Sequence, residues 1–442
     1  MIFRLKVFIA SAVLLSMLLS LPASASYETG GVSKSILSNG VTLLVKPEPD
    51  AHVAAIEIFV GVGAQNEDKS ETGIGQLLAC SILAGTTTRS TIRLAKLVQE
   101  AGGNFHSVWQ WNYTEIYAVT LPESCDEGIS LLADSIQNAA LDPLAVEFSK
   151  GTIAKEIRQQ DEDTFNSAYT ALRKLLHPGS AYGRSYIGDP AKIQSITQQQ
   201  LNEFYRSNYS PDRIVVSVVG KVDPVEVEHR VSVCFRNMDI RAEHPEQSAA
   251  PSRDESKSTV HADSEAAYIM LGYLAPGVDD PDYLPMCVAN VLLGGNKSSL
   301  LFRKLREDQG LGYQVGSEYP ALLGPSHLVA YLGMDASQAR QPVIDRVVAS
   351  IGEQVKFLQA GSFSDDDLER AKRYLIGHHA LEHERARDRA FYLGWAEIMG
   401  LGYQYDFLYA DDIKKVTRAD VIRVCNRYLV KPSQVVTTHA AE

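Results

Sequence analysis

One stretch of the sequence is written in the vocabulary of metal chemistry: His379-Ala380-Leu381-Glu382-His383. On a helix, residues four apart share a face, so His379 and His383 could offer two imidazoles to one divalent cation, with Glu382 beside them. The neighbourhood gives a competing answer. Glu369 to Arg389 is dense in charge, which fits a solvated helix face laced with i,i+4 pairs.

Two further segments hold candidate chemistry. Arg306 and Tyr313 stand seven residues apart in Leu305-Arg306-Glu307-Asp308-Gln309-Gly310-Leu311-Gly312-Tyr313, just after Leu292-Leu293-Gly294-Gly295-Asn296-Lys297-Ser298-Ser299. Their bland reading is that Arg306 caps a helix end and Tyr313 packs in a strand. The other segment runs Gly73-Ile74-Gly75-Gln76-Leu77-Leu78-Ala79-Cys80-Ser81-Ile82-Leu83-Ala84-Gly85-Thr86. It is a helix with a glycine stop and few reactive groups.

The elements that must position these residues come in two copies. Ile196-Thr197 opens a helical pattern through Leu201 and Phe204, followed by Tyr209, Pro211 and the apolar run Ile214 to Val219. Val416-Thr417 opens the same pattern through Val421 and Val424, followed by Leu429, Pro432 and Val435-Val436. The offset is about 220 residues, half the chain. The starts correspond as well: strand Ala54 to Val62 with helix Gly73 to Leu83, and strand Ala267 to Leu274 with helix Leu284 to Leu293. Strand-like runs such as Glu115 to Leu121 and His327 to Leu332 cluster apart from helical runs such as Ile129 to Ala140 and Pro342 to Leu358. This pattern predicts an α+β fold of two homologous domains, each an antiparallel sheet with helices packed on one face. Within the repeat, the counterpart of helix Gly73 to Leu83 is Leu284 to Leu293, which holds no histidine. His379 falls on the helix that echoes the region of Glu156.

The bulk composition narrows the function classes. Arg4 and Lys6, the apolar run Val7 to Leu21, and Pro22-Ala23-Ser24-Ala25 read as an export signal cleaved near Ala25/Ser26, which predicts a periplasmic or secreted protein. The apolar run is too short to span a bilayer, and no later segment is long enough, so no stable membrane span is expected. The net charge of −12 opposes nucleic-acid binding. Five scattered cysteines, Cys80, Cys125, Cys234, Cys287 and Cys425, form no CxxC pair or disulfide framework, and buried free thiols are the simpler state. The expected boundaries are a signal peptide over 1–25, a first domain over 26–238, a linker over 239–258 and a second domain over 259–442.

An exported chain of two such halves resembles the family of pitrilysin, insulin-degrading enzyme and mitochondrial processing peptidase. That family carries His-x-x-Glu-His in the frame that here reads Gly73 to Thr86. The resemblance implies two domains closing as a clamshell, with a zinc site in the first. Gln76 and Cys80 stand where the two histidines would be, and Ala79 where the general base would be, so the frame is kept and the chemistry lost. The third ligand of the family falls on Glu156, whose bland reading is a surface or salt-bridged helix carboxylate. Gly102-Gly103-Asn104-Phe105-His106-Ser107, with Thr114 and Tyr117, stands where the family lays its peptide along an edge strand; His106 reads as structural. The Arg306 to Tyr313 element is intact, and in active relatives these two residues reach toward the zinc centre, where the resemblance implies that a guanidinium and a phenol hydrogen-bond the substrate carbonyl or the developing oxyanion. The combination resembles the zinc-less subunit of heterodimeric members. It implies a chain that binds no cofactor itself, a zinc-bearing homologous peptidase subunit as partner, and a peptide or unfolded protein as substrate. A peptide-binding scaffold, and an active metallopeptidase using His379, Glu382 and His383, are the competing readings.

Overall fold

The computed structural model describes residues 27–239, 255–262 and 264–439. The expected signal peptide and most of the expected linker lie outside the described residues. The linker's last two residues, Lys257 and Ser258, already belong to a strand.

The first half forms a seven-stranded sheet. Its strands are β1 (Tyr27–Glu28), β2 (Val32–Ile36), β3 (Thr42–Pro47), β4 (Ala54–Val60), β5 (Phe105–Trp109), β6 (Thr114–Thr120) and β7 (Ile214–Gly220), in the order β1-β2-β3-β7-β4-β6-β5. The second half forms a five-stranded sheet from β8 (Lys257–Ala262), β9 (Ala266–Ala275), β10 (Gln314–Glu318), β11 (Ser326–Asp335) and β12 (Ser433–His439), in the order β10-β11-β9-β12-β8. Neighbours run antiparallel except for one pair in each sheet, β3 with β7 and β12 with β8. The β7 and β12 segments are the two apolar runs that end the halves in sequence. Each reaches its parallel partner by a long crossover.

The helices native to each half pack on one face of its sheet, as the clustering of runs predicts. In the first half Leu77, Ile129, Leu201 and Phe235 meet Ile56 and Ile58 of β4. In the second, Leu293, Val347 and Val424 meet Ile269 and Leu271 of β9. The other face of each sheet is covered too, and by a helix lent from the opposite half. Helix Ala386–Ile398 lays Ala390 and Leu393 on Leu44, Phe59 and Val215 of the first sheet. Helix Thr164–Leu176 lays Ala168 and Leu172 on Met270, Val329 and Val435 of the second. The central strands carry the signature of this double cover. Every residue of β4 and β7 is buried, so the usual alternation of apolar and polar positions is absent.

Close approach at both lent helices depends on a missing side chain. A Cβ on Gly394 would come within 2.5 Å of the Phe59 ring, and a Cβ on Gly272 of β9 within 2.7 Å of Leu176. The first contact is closed by charge as well. Arg387 of the lent helix donates to Glu115 of β6, and its Nε lies 3.0 Å from Glu57 Oε1 of β4 as an ion pair outside hydrogen-bond alignment. Burial, then the charge of Glu115, holds the Glu57 carboxyl far above the usual range against the pull of Arg387. One guanidinium thus stands between two buried carboxyls, and burial holds both of them above the ordinary carboxylate range.

Candidate functional site

The helix Ile74–Ser81 is held by its own approach loop. Gly73 precedes it at φ 102°, a left-handed conformation that glycine adopts without strain. Glu67 folds back so that its Oε1 accepts from Gly75 N at 2.9 Å and Gly73 N at 3.1 Å. Trp109 of β5 lies over Gly75, where a Cβ would sit 2.0 Å from the indole, and its Nε1 donates to the Tyr186 carbonyl. The rest of the helix is buried except for Cys80.

Helix Pro143–Glu162 packs alongside, with Ser81 Oγ 3.1 Å from Ser149 Oγ, and brings Glu156 to the exposed end of this face. The Gln76 amide Nε2 lies 3.4 Å from Glu156 Oε2 and 3.7 Å from Cys80 Sγ. Three of the residues singled out in the sequence are therefore brought together, and Glu156 takes part in the cluster instead of standing alone on a helix surface. Ala79 is buried beside them and presents only a methyl group. Although Cys80 is exposed by area, desolvation around its sulfur, and then the charge of Glu156, push the thiol up to about 11. It stays neutral near pH 7.

These residues do not fit zinc. A catalytic zinc wants three anionic or lone-pair donors pointing at one empty centre. Here the amide N–H₂ of Gln76 points at both the carboxylate and the sulfur, occupying the place of positive charge. No carboxylate stands at position 79 to activate a water.

Arg306 and Tyr313 sit elsewhere. Arg306 lies in the last turn of a π-helical segment, Phe302–Asp308, and its guanidinium donates to the Tyr313 carbonyl while lying 5.5 Å from the Phe302 ring. The Tyr313 hydroxyl lies 3.5 Å from the Met334 carbonyl, and the side chain is 47% exposed. Both line a cavity of about 720 Å³ beside edge strand β10, shared with Asp163, Phe165 and Asn166 of the first half. Among the described residues that line it, Gln76, Cys80 and Glu156 are absent. The first sheet also ends in an open edge, β5, where the exposed His106 stacks on Tyr117 at 4.8 Å.

The literal motif comes to lie at a junction of the halves. His379 is on helix Asp365–Glu382, His383 ends it, and both rings meet Asp406 of helix Gln404–Lys415. His379, Glu382 and Asp406 line a cavity of about 520 Å³ together with Trp111 and Tyr113 of the first half. Burial lowers His383, but the hydrogen bond and charge of Asp406 outweigh it and raise its pKa above the ordinary range. Burial would raise Asp406, and the two histidines bring it below its ordinary value. Asp406 carried no signal in the sequence, because it joins from a separate helix and belongs to no spacing rule.

Among the described residues no helix is long and apolar enough to cross a membrane. Residues 42–188 match the family described as Insulinase (Peptidase family M16), and residues 195–375 match the Peptidase M16 inactive domain. An uncharacterized zinc protease of Bacillus subtilis (strain 168) is 24% identical over 368 residues, 83% of this chain and 88% of its own. Another, from Mycobacterium leprae (strain TN), is 26% identical over 332 residues, 73% of this chain and 74% of its own. A protease from Helicobacter pylori has the same fold, with a TM-score of 0.84 at 20% identity over 92% of this chain and 99% of that one. The peptidase M16 inactive domain from Pseudomonas fluorescens gives 0.82 at 20% identity, over 93% and 98%. Two family matches in order along two halves of one plan, with relatives along most of its length, place this chain in the insulinase family of M16 peptidases.

Proposed function

We propose that the chain is the non-catalytic subunit of a two-chain metallopeptidase of the exported compartment, released from its signal near Ala25/Ser26. Its partner is a homologous subunit that carries the zinc, and the substrate is a peptide or unfolded protein. The observation that carries this reading is the Gln76 amide bonded toward both Glu156 and Cys80, where a metal would need a lone pair. The names of the curated relatives, zinc proteases, support a peptidase assembly, and the second half keeps Arg306 and Tyr313 beside an open strand edge. An extended peptide can add to such an edge through its backbone, with little call on side-chain identity.

The test is reconstitution. Alone, the chain should hydrolyse no unfolded peptide; mixed with a zinc-bearing homologous subunit, it should switch hydrolysis on. Arg306→Ala and Tyr313→Phe should each lower kcat of the mixture by roughly 10²-fold, the scale of one lost oxyanion donor. Zinc-dependent hydrolysis by the chain alone, abolished by Glu156→Gln, would sink the proposal. One observation favours a second reading, a peptide-binding scaffold: the Arg306 guanidinium is already engaged by the Tyr313 carbonyl. Normal activation by both variants would establish that role.

A further inference from the structure

The motif His379-x-x-Glu382-His383 is not on the zinc helix of either half, yet the fold completes it with a third group. His383 Nδ1 lies 2.6 Å from the backbone carbonyl oxygen of His379. A carbonyl only accepts, so this nitrogen carries the ring hydrogen, and in the neutral ring Nε2 is a lone pair. That lone pair is aimed at Asp406 Oδ1, 2.7 Å away. Two acceptors so close demand a positive occupant, either a proton or a metal ion.

Three features favour the metal. First, His379 Nε2 converges on the same oxygen at 3.0 Å, and the three ligand atoms all lie within 4.8 Å of one another. Tetrahedral zinc with bonds of about 2.0–2.1 Å separates its ligand atoms by roughly 3.3 Å, so seating it would draw Asp406 back from its present 2.7 and 3.0 Å to the two imidazoles. Second, the outer contacts are those of a metal site. The His383 Nδ1–H to carbonyl bond fixes the tautomer that presents Nε2. Tyr409 stacks on His379 at 4.5 Å and Tyr392 on His383 at 4.6 Å, which holds both rings in place. Tyr392 also donates to Glu382 at 2.8 Å, keeping that carboxylate beside the site. Third, the side chains of His379, His383 and Asp406 are only 21%, 16% and 10% exposed, while His379 and Asp406 border the 520 Å³ cavity. That gives a partly desolvated ligand set with room for a water as fourth ligand.

We propose that His379, His383 and Asp406 bind one zinc-class divalent cation, which braces helix Asp365–Glu382 against helix Gln404–Lys415. The site is separate from Gln76, Cys80 and Glu156, so it stands or falls independently of the subunit role.

The full chain, free of any histidine tag and stripped with chelator, is dialysed against zinc and its metal measured by mass spectrometry. One zinc per chain is expected, and cobalt(II) in its place should give the strong visible bands of four-coordinate geometry. Asp406→Asn, nearly isosteric, and His383→Ala should each weaken zinc binding at least 100-fold, with folding verified by circular dichroism. Cys80→Ala should leave binding unchanged. Uptake no greater than that of His383→Ala would mean that a proton alone bridges the pair and would overturn the proposal. So would zinc that survives in His383→Ala and is lost in Cys80→Ala.

Discussion

Glu67 is 1% exposed, and burial raises its carboxyl from an ordinary 4.5 to about 8 against the opposing pull of its bonds from Gly75 and Gly73. Between those two values the unfolded chain has released this proton and the folded chain still holds it, so stability falls as pH rises. Urea unfolding at the two ends of that window should show the loss in the wild type and a flatter profile in Glu67→Gln, which keeps the helix-holding acceptor and cannot ionise. An unchanged slope in the variant would rule Glu67 out as its source. At this scale the sequence was informative where identity alone decides chemistry. Gln76 and Ala79 announce a lost zinc site, because an amide is a poor zinc ligand and a methyl group is no base, and Cys80 with Glu156 would leave the metal under-coordinated. It was silent where geometry decides: Glu156 meets Gln76 across 80 residues of chain, and Asp406 meets the two histidines from another helix.

The elements themselves were legible, since strand and helix runs follow local periodicity, and β4, β7, β9 and β11 fall where apolar runs predict them. What periodicity cannot say is which sheet an amphipathic helix will cover. Helix Thr164–Leu176 presents an apolar stripe like any other, and its destination on the opposite half is decided by shape, including the bare backbone of Gly272. The fit of the lent helices is therefore testable at their glycines. Gly394→Ala drives a methyl into Phe59 and should destabilise by about 1–3 kcal/mol, the usual cost of overpacking a closed core. Gly377, helical with nothing within 4 Å of its missing Cβ, is the control. Gly377→Ala should raise stability by up to about 1 kcal/mol. Thermal denaturation of the two variants side by side reads both signs, and equal shifts would remove the packing argument.

At the scale of the molecule, each half lacks one face of its own core. Produced separately, residues 26–238 would expose Leu44, Phe59 and Val215, and residues 259–442 would expose Met270, Val329 and Val435. Each fragment should aggregate or bind a hydrophobic dye, whereas the two produced together should assemble into a soluble pair without a covalent link. A first half that is monomeric, soluble and cooperatively folded on its own would refute this. The exchange also sets an order in time. The first sheet is made of early residues, but its second cover is Ala386–Ile398, so the half that emerges first is the one that must wait for nearly the whole chain. Folding therefore cannot proceed one domain after another. The early half stays incomplete, its strands open to wrong partners, until the late helix arrives, and the protein depends on being kept apart from other chains during that interval.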